Sequence, residues 1–508
     1  MTGPSSEDTA ADSQSPEPGL SPVVETRVAR RRRELRPVPG RSAAVVSAAA
    51  VLIGLGVVSL TFPPPSPASP TPPGDGVRIS PASARTSSLF CATGAGIGAG
   101  TGATGVVVLT NTSRSTVGGV MTVDQSSGGT AVRRAVTVPA RGTTTVIPGQ
   151  GLPVGATATT FTFEGGGVTA TMVIGAPVGW STAPCASLVS SEWDFVGGST
   201  SSGVLDLSLY NPTAAQAVVG VSFLTADGNV LIPQAYQGIT LAPGQLVVAE
   251  LAAYVQNQQV VATLVQASSG AIVATELDRL ASPTGTGLAL VAGTPGPATT
   301  WRFAQTTAVQ GGTVTLSVAN PQASPVSVQV AVGLSSASVT PKGFTVPGHS
   351  VVAFAPSAVA GWPLGSPYSL TVVATEPVIV GRSVAAPPGG ISPQAGLTGG
   401  TVTTASKWLV VGPGSPGNPL MPGATMQSLA VANPGLVPVD VMVTPLAGGN
   451  PVARVKLAAN GLIVFGAAVV GGLRPLVVTS SGPVSVGVDS GPVAAPGIIS
   501  SSGFPLGA

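Results

Sequence analysis

Beyond residue 85 the chain alternates apolar and polar positions, as in Val314, Leu316 and Val318 set against Thr313, Thr315 and Ser317. A period of two gives a β-strand one apolar and one polar face. The strands recur in a fixed order. VVVLTNT (106–112), LDLSLYNP (205–212), VTLSVANP (314–321) and SLAVANP (428–434) each end on Asn followed by Thr or Pro. These asparagines, Asn111, Asn211, Asn320 and Asn433, are spaced by 100, 109 and 113 residues. Second alternating runs follow, such as VVGVSFL (218–224), VSVQVAV (326–332) and VDVMV (439–443). About 30 residues past each Asn comes a turn carrying Gly142, Gly244, Gly348 or Gly461. Near the end of each unit two apolar strands flank a turn, as in YSLTVVATEPVIVGRSV. An aromatic opens three units, at Trp193, Trp301 and Trp408, and Phe90 takes that place in the first.

The punctuation has a mechanism. Asn tolerates left-handed backbone, Pro cannot extend a ladder, and Gly after Pro suits a turn with positive φ. Four units follow, at 85–188, 189–297, 298–404 and 405–508. The third shows about seven strand-like runs, the profile of an immunoglobulin-like β-sandwich. The chain is therefore expected to be all-β, in tandem sandwich units with the opening aromatics in their cores. A β-propeller with blades of about 40–50 residues is the alternative, and no half-period repeat supports it.

One segment breaks the alternation. Ser42–Phe62 (SAAVVSAAAVLIGLGVVSLTF) carries no charge over 21 residues, enough for a helix to span a bilayer core of about 30 Å. Arg27, Arg30, Arg31, Arg32, Arg33, Arg36 and Arg41 precede it, and the next base is Arg78. Positive charge stays inside, which predicts a cytoplasmic N-terminus and an exported bulk. A cleaved signal peptide is the rival reading; its apolar core is shorter, about 7–15 residues. Residues 1–41 read as a disordered Arg-rich tail. Residues 63–84 read as a stalk, with seven prolines in PPPSPASPTPPGD (63–75).

Charge changes little else. Past the helix, fourteen Lys and Arg face thirteen Asp and Glu, so neither nucleic acid nor charged ligands are steered to one face. With charged residues at 8%, and Gly (68) and Pro (49) plentiful, disorder is conceivable, but the Val and Thr alternation favours strands.

The apolar segment, the Pro-rich stalk, the Asn-Pro units, and Cys91 with Cys185 shortly before Trp193-Asp194-Phe195-Val196-Gly197-Gly198 resemble an uncharacterised actinobacterial family. It is domain-of-unknown-function family 5719, and the resemblance runs over roughly 85–505. It implies no activity, cofactor or site residue, and it favours a cell-envelope role.

Candidate chemistry is sparse. Cys91 and Cys185 lie in the exported part, where a disulfide is the expected state. It would tie the first unit to the strand leading into the second, closing a loop worth about 4–5 kcal/mol at most. His349 is the chain's one histidine and sits in a turn, so neither zinc binding nor a Ser-His-Asp triad is expected. Glu192 with Asp194, and Glu276 with Asp278, each share a strand face and invite comparison with glycosidase carboxylates. Protecting a strand edge is the simpler role. GAGIGAGTGATG (94–105) lacks the strand before and helix after that a dinucleotide loop requires. The expectation is a non-catalytic structural or binding protein of the envelope, anchored in the cytoplasmic membrane, without cofactor, metal or nucleotide. Its partner would be an envelope protein or glycan. A carboxylate-dependent glycan hydrolase and an accessory of an envelope glycosyltransferase are the alternatives.

Overall fold

Alternation becomes strand through most of the described residues. The computed structural model describes residues 76–506, apart from 93–103, 177–178, 202–203, 283–284, 307–312, 336–338, 357–358, 360–361, 363–365, 386–394, 413–424, 471–473 and 492–498. The Arg-rich tail, the apolar segment and most of the stalk lie outside these residues, as does 94–103 of the glycine-rich stretch. Among the described residues no helix is long and apolar enough to cross a membrane.

The first unit sets the plan. Its strands are β1 (Ser87–Cys91), β2 (Thr104–Asn111), β3 (Val117–Gln125), β4 (Val132–Val138), β5 (Thr143–Val146), β6 (Thr157–Phe163), β7 (Val168–Ala176) and β8 (Gly179–Pro184). They form two antiparallel sheets, in the orders β1-β6-β3-β4 and β5-β2-β7-β8. Leu109, Val123, Phe161, Phe163, Val168 and Met172 fill the space between them. The second unit repeats both orders, from Glu192–Gly198 through Gly285–Ala292. So do the third, from Ala298–Thr306 to Ala395–Gly399, and the fourth, from Ala405–Val410 to Ile499–Ser502. The units are β-sandwiches, as the alternation predicts.

Two details differ from the sequence reading. In the third and fourth units the last apolar pair is one strand, Tyr368–Ala385 and Leu476–Gly491, with no turn inside. Its first half pairs in one sheet and its second half in the other. Pro377 and Pro483 sit near the crossing, where a missing N–H costs least. The opening aromatic is also displaced in the first unit. The registers Phe90↔Ala186, Asp194↔Thr294, Arg302↔Thr401 and Leu409↔Phe504 align Leu89, and not Phe90, with the three tryptophans. Trp193, Trp301 and Trp408 donate their indole N–H to the carbonyls of Ile272, Val378 and Val484. Each thereby ties the first strand to the crossing between sixth and seventh.

The repeated asparagines do more than end a strand. All four are buried. Asn320 Nδ2 donates to the carbonyls of Ser324, Val346 and Pro347 at 2.8–3.2 Å, and Oδ1 accepts the N–H of Gln322 at 2.9 Å. Asn111, Asn211 and Asn433 bond the same two loops. One side chain thus satisfies backbone groups that burial would otherwise leave unpaired. The positive-φ residue of the facing turn is Arg141 (47°), Gly244 (73°), His349 (52°) or Asn460 (51°). Glycine holds that place only in the second unit.

The four sandwiches close into a ring. In each seam the outer face of one unit's first sheet meets the outer face of the next unit's second sheet. Val196, Leu224 and Ala262 pack on Ala319, Val351 and Ile379 between the second and third units. Ala304 packs on Ala430, Ala432 and Leu462 between the third and fourth. Tyr210 donates to Asp124 at 2.7 Å between the first and second. Val411 of the fourth unit joins Val106, Val108 and Val173 of the first, completing the circle. Val77 and Ile79, from the chain's entry, lie on Leu409, Leu446 and Phe504 of the fourth unit.

Candidate functional site

Closure brings the eighth strands together at the axis. Gly179–Pro184, Gly285–Ala292, Ala395–Gly399 and Ile499–Ser502 touch in succession, and the last touches the first. Ser181 Oγ accepts the N–H of Leu290 at 2.8 Å, so one edge strand pairs with its neighbour through a side chain. An axial cavity of about 120 Å³ lies among these strands, lined by one stretch from each unit and by Val77. Thr182, Leu290, Thr294, Thr401 and Phe504 give it a mixed, mainly apolar wall.

The wall rests on aromatic rings where glycine allows it. A Cβ on Gly293 would come within 2.7 Å of Phe195, and one on Gly400 within 2.9 Å of Phe303. In the first unit Cys185 takes the place of these glycines and Cys91 that of the two phenylalanines, by the same registers. The two cysteines are disulfide-bonded, as expected. Yet both belong to the first unit, so the bond joins its two sheets at the axial edge and does not tie one unit to the next.

Of the two carboxylate pairs, Glu276 and Asp278 lie inward, while Glu192 and Asp194 lie on the outer face of an edge strand, toward the seam with the third unit. Glu276 and Asp278 are 1% and 0% exposed and face the interior of the second sandwich, opposite Leu207 and Leu205 in register. Thr263 Oγ1 donates to Glu276 at 2.9 Å, and the Ser199 N–H donates to Asp278 at 3.2 Å. Burial pushes the Glu276 carboxyl up to about 7, against the pull of Thr263. Burial, then the neighbouring Glu276, raises Asp278 well above its ordinary range. Asp194 is buried too and raised by burial, then by Glu192, while half-buried Glu192 is raised by burial alone. None of these carboxyls lines the axial cavity. The place of Glu276 holds Met172 in the first unit, Arg382 in the third and Val488 in the fourth, by strand register. Arg382 donates to Thr306 at 2.9 Å and lies over the Phe303 ring. His349 is a turn residue whose N–H donates to the Gln322 carbonyl at 2.9 Å.

Sequence reasoning missed the axial residues. Only the recurrence of Gly-Thr in Gly293-Thr294 and Gly400-Thr401 marked them, and it is too short to stand above chance.

Residues 153–366 match the profile of a family of unknown function (DUF5719). That stretch covers the end of the first unit, all of the second and much of the third, a narrower span than the resemblance read from the motifs. No curated protein matches the chain. Among solved structures, the crystal structure of Thermotoga maritima 1070 is similar at 14% identity and a TM-score of 0.20, over 20% of this chain and 93% of its own. The tetra-tandem repeat in the extending region of a large adhesion protein is similar at 12% identity and a TM-score of 0.08, over 78% of this chain and 93% of its own.

Proposed function

We propose that the protein is a non-catalytic structural or binding component of the cell envelope, held by its apolar segment in the cytoplasmic membrane with the ring outside. The ring is the observation that carries the reading. Four sandwiches with filled cores, joined by apolar seams, make a rigid body that presents loops and edges to a partner. The earliest described residues lie at the axis, with the Gly76 carbonyl accepting the Ser187 N–H at 3.2 Å and Val77 lining the axial cavity. Glu276 and Asp278, the best-placed acids for hydrolysis, face the inside of a sandwich where a glycan has no room. Protease added to intact cells, with outer wall layers opened, is expected to remove epitopes beyond residue 75 and spare a tag at the N-terminus. Protection of the C-terminal region would overturn the proposal.

A further inference from the structure

The four seams are built alike, and equivalent positions can be compared across them. Two positions face each seam: the residue before the opening tryptophan of one unit, and the positive-φ turn residue of the next. The seams from first to second, second to third, and third to fourth hold Ser88 with Gly244, Glu192 with His349, and Thr300 with Asn460. The seam from fourth to first holds Lys407 with Arg141. It is the one of the four with two cations.

These cations share a cavity of about 300 Å³ with Thr112, Thr444, Thr479 and Gly448. The hydroxyls of Thr112 and Thr444 already donate to the carbonyls of Gly167 and Val477. Among the described residues no acidic side chain lines the cavity, and neither cation has an ion-pair partner. The Arg141 guanidinium reaches across the seam to Gly448, where a Cβ would come within 3.4 Å of Nη1. Lys407 is fixed at its backbone, its carbonyl accepting the Leu506 N–H at 2.9 Å.

The backbone supplies an independent argument. Arg141 has φ of 47°, in the left-handed region. Asn, Asp, His and Gly enter that region readily, whereas other side chains are strained there by about 1–2 kcal/mol. The other three units fill the place with residues of the tolerant kind. The first unit holds an arginine at a strained position, and strain kept in this way points to a role for the side chain.

We propose that the seam between the fourth and first units binds a phosphate group. A guanidinium fork and an ammonium, with the Thr479 hydroxyl beside them, present a double positive charge and several donors, suited to the anionic oxygens of a phosphate group. Free phosphate and the phosphodiester headgroup of a lipid both present such oxygens, the free ion with the higher charge.

The test uses the full-length protein in a nonionic detergent, titrated calorimetrically with inorganic phosphate and, separately, with glycerophosphoglycerol. Wild type is expected to bind one equivalent of at least one probe. R141G is expected to weaken binding about tenfold or more, with thermal stability unchanged or raised because glycine suits the left-handed turn. K407S, at an exposed site, is expected to weaken it in the same direction. Tighter binding of glycerophosphoglycerol would identify a lipid headgroup as the source, and tighter binding of inorganic phosphate a soluble ligand. No saturable binding by wild type, or equal binding by wild type and both variants, would overturn the proposal. The measurement is made on the ring, so its outcome is separate from that of the topology experiment.

Discussion

Glu276 shows what a single side chain contributes in this fold. Folded, its carboxyl holds a proton up to about pH 7, whereas the unfolded chain releases it near 4.5. Between those values the folded state binds more protons, so stability falls as pH rises through the window. Asp206 adds the same sign from 3.8 upward, since burial and then Glu250 lift it to about 6 against Arg279. Thermal stability is therefore expected to decline between pH 5 and 8. The substitution Glu276→Gln should flatten that decline and stabilise the protein at pH 8 by on the order of 2 kcal/mol. A slope unaltered by the substitution, measured by calorimetry across the range, would contradict the assignment. The sequence could not show this burial. Val273-Ala-Thr-Glu-Leu-Asp-Arg-Leu280 reads as an amphipathic strand with acids outward, because that reading assumes one wet face. In the ring both faces of a sheet are covered, and alternation no longer says which side is inside.

At the scale of elements the sequence was more legible. Asn111, Asn211, Asn320 and Asn433 marked four second strands correctly, because the loop closure they perform needs an amide at that point in every unit. Their mechanism was not legible, since the bonded carbonyls lie some 25–30 residues downstream. The Cys91–Cys185 bond was legible as a pair but not as to what it joins. Its register replaces an aromatic ring over a glycine by a covalent link across 94 residues of chain. Replacing both cysteines by serine should cost about 3–4 kcal/mol. The loss should be confined to the first unit, because the bond crosses no seam. Hydrogen exchange resolved by unit checks both the size and the confinement; equal loss of protection in all four would refute the latter.

At the scale of the molecule nothing in the sequence announced closure. A periodic chain predicts a stack of units, and whether the stack curves round depends on small angles at each seam. What the sequence did carry, unrecognised, was the pair Val77 and Ile79 beyond a Pro-rich stretch that looked like linker. They cover Leu409, Leu446 and Phe504 of the last unit. Replacing both by aspartate should destabilise the closing seam by about 3 kcal/mol and leave the sandwich cores intact. Small-angle scattering is expected to show a larger radius of gyration as the ring opens. An unchanged profile would mean that the remaining contacts of that seam suffice.

Those two side chains also impose a timetable. They belong to the earliest described part of the chain, yet their partners are made more than 300 residues later. As synthesis proceeds from the N-terminus, the first three sandwiches can fold one after another from local contacts. Throughout that interval Val77 and Ile79 lack Leu409, Leu446 and Phe504, and Val106 and Val108 keep Trp180 of their own unit but lack Val411. The nascent protein is stickiest just before its fourth unit is made, and a chain interrupted in that unit keeps the surface open to a second chain.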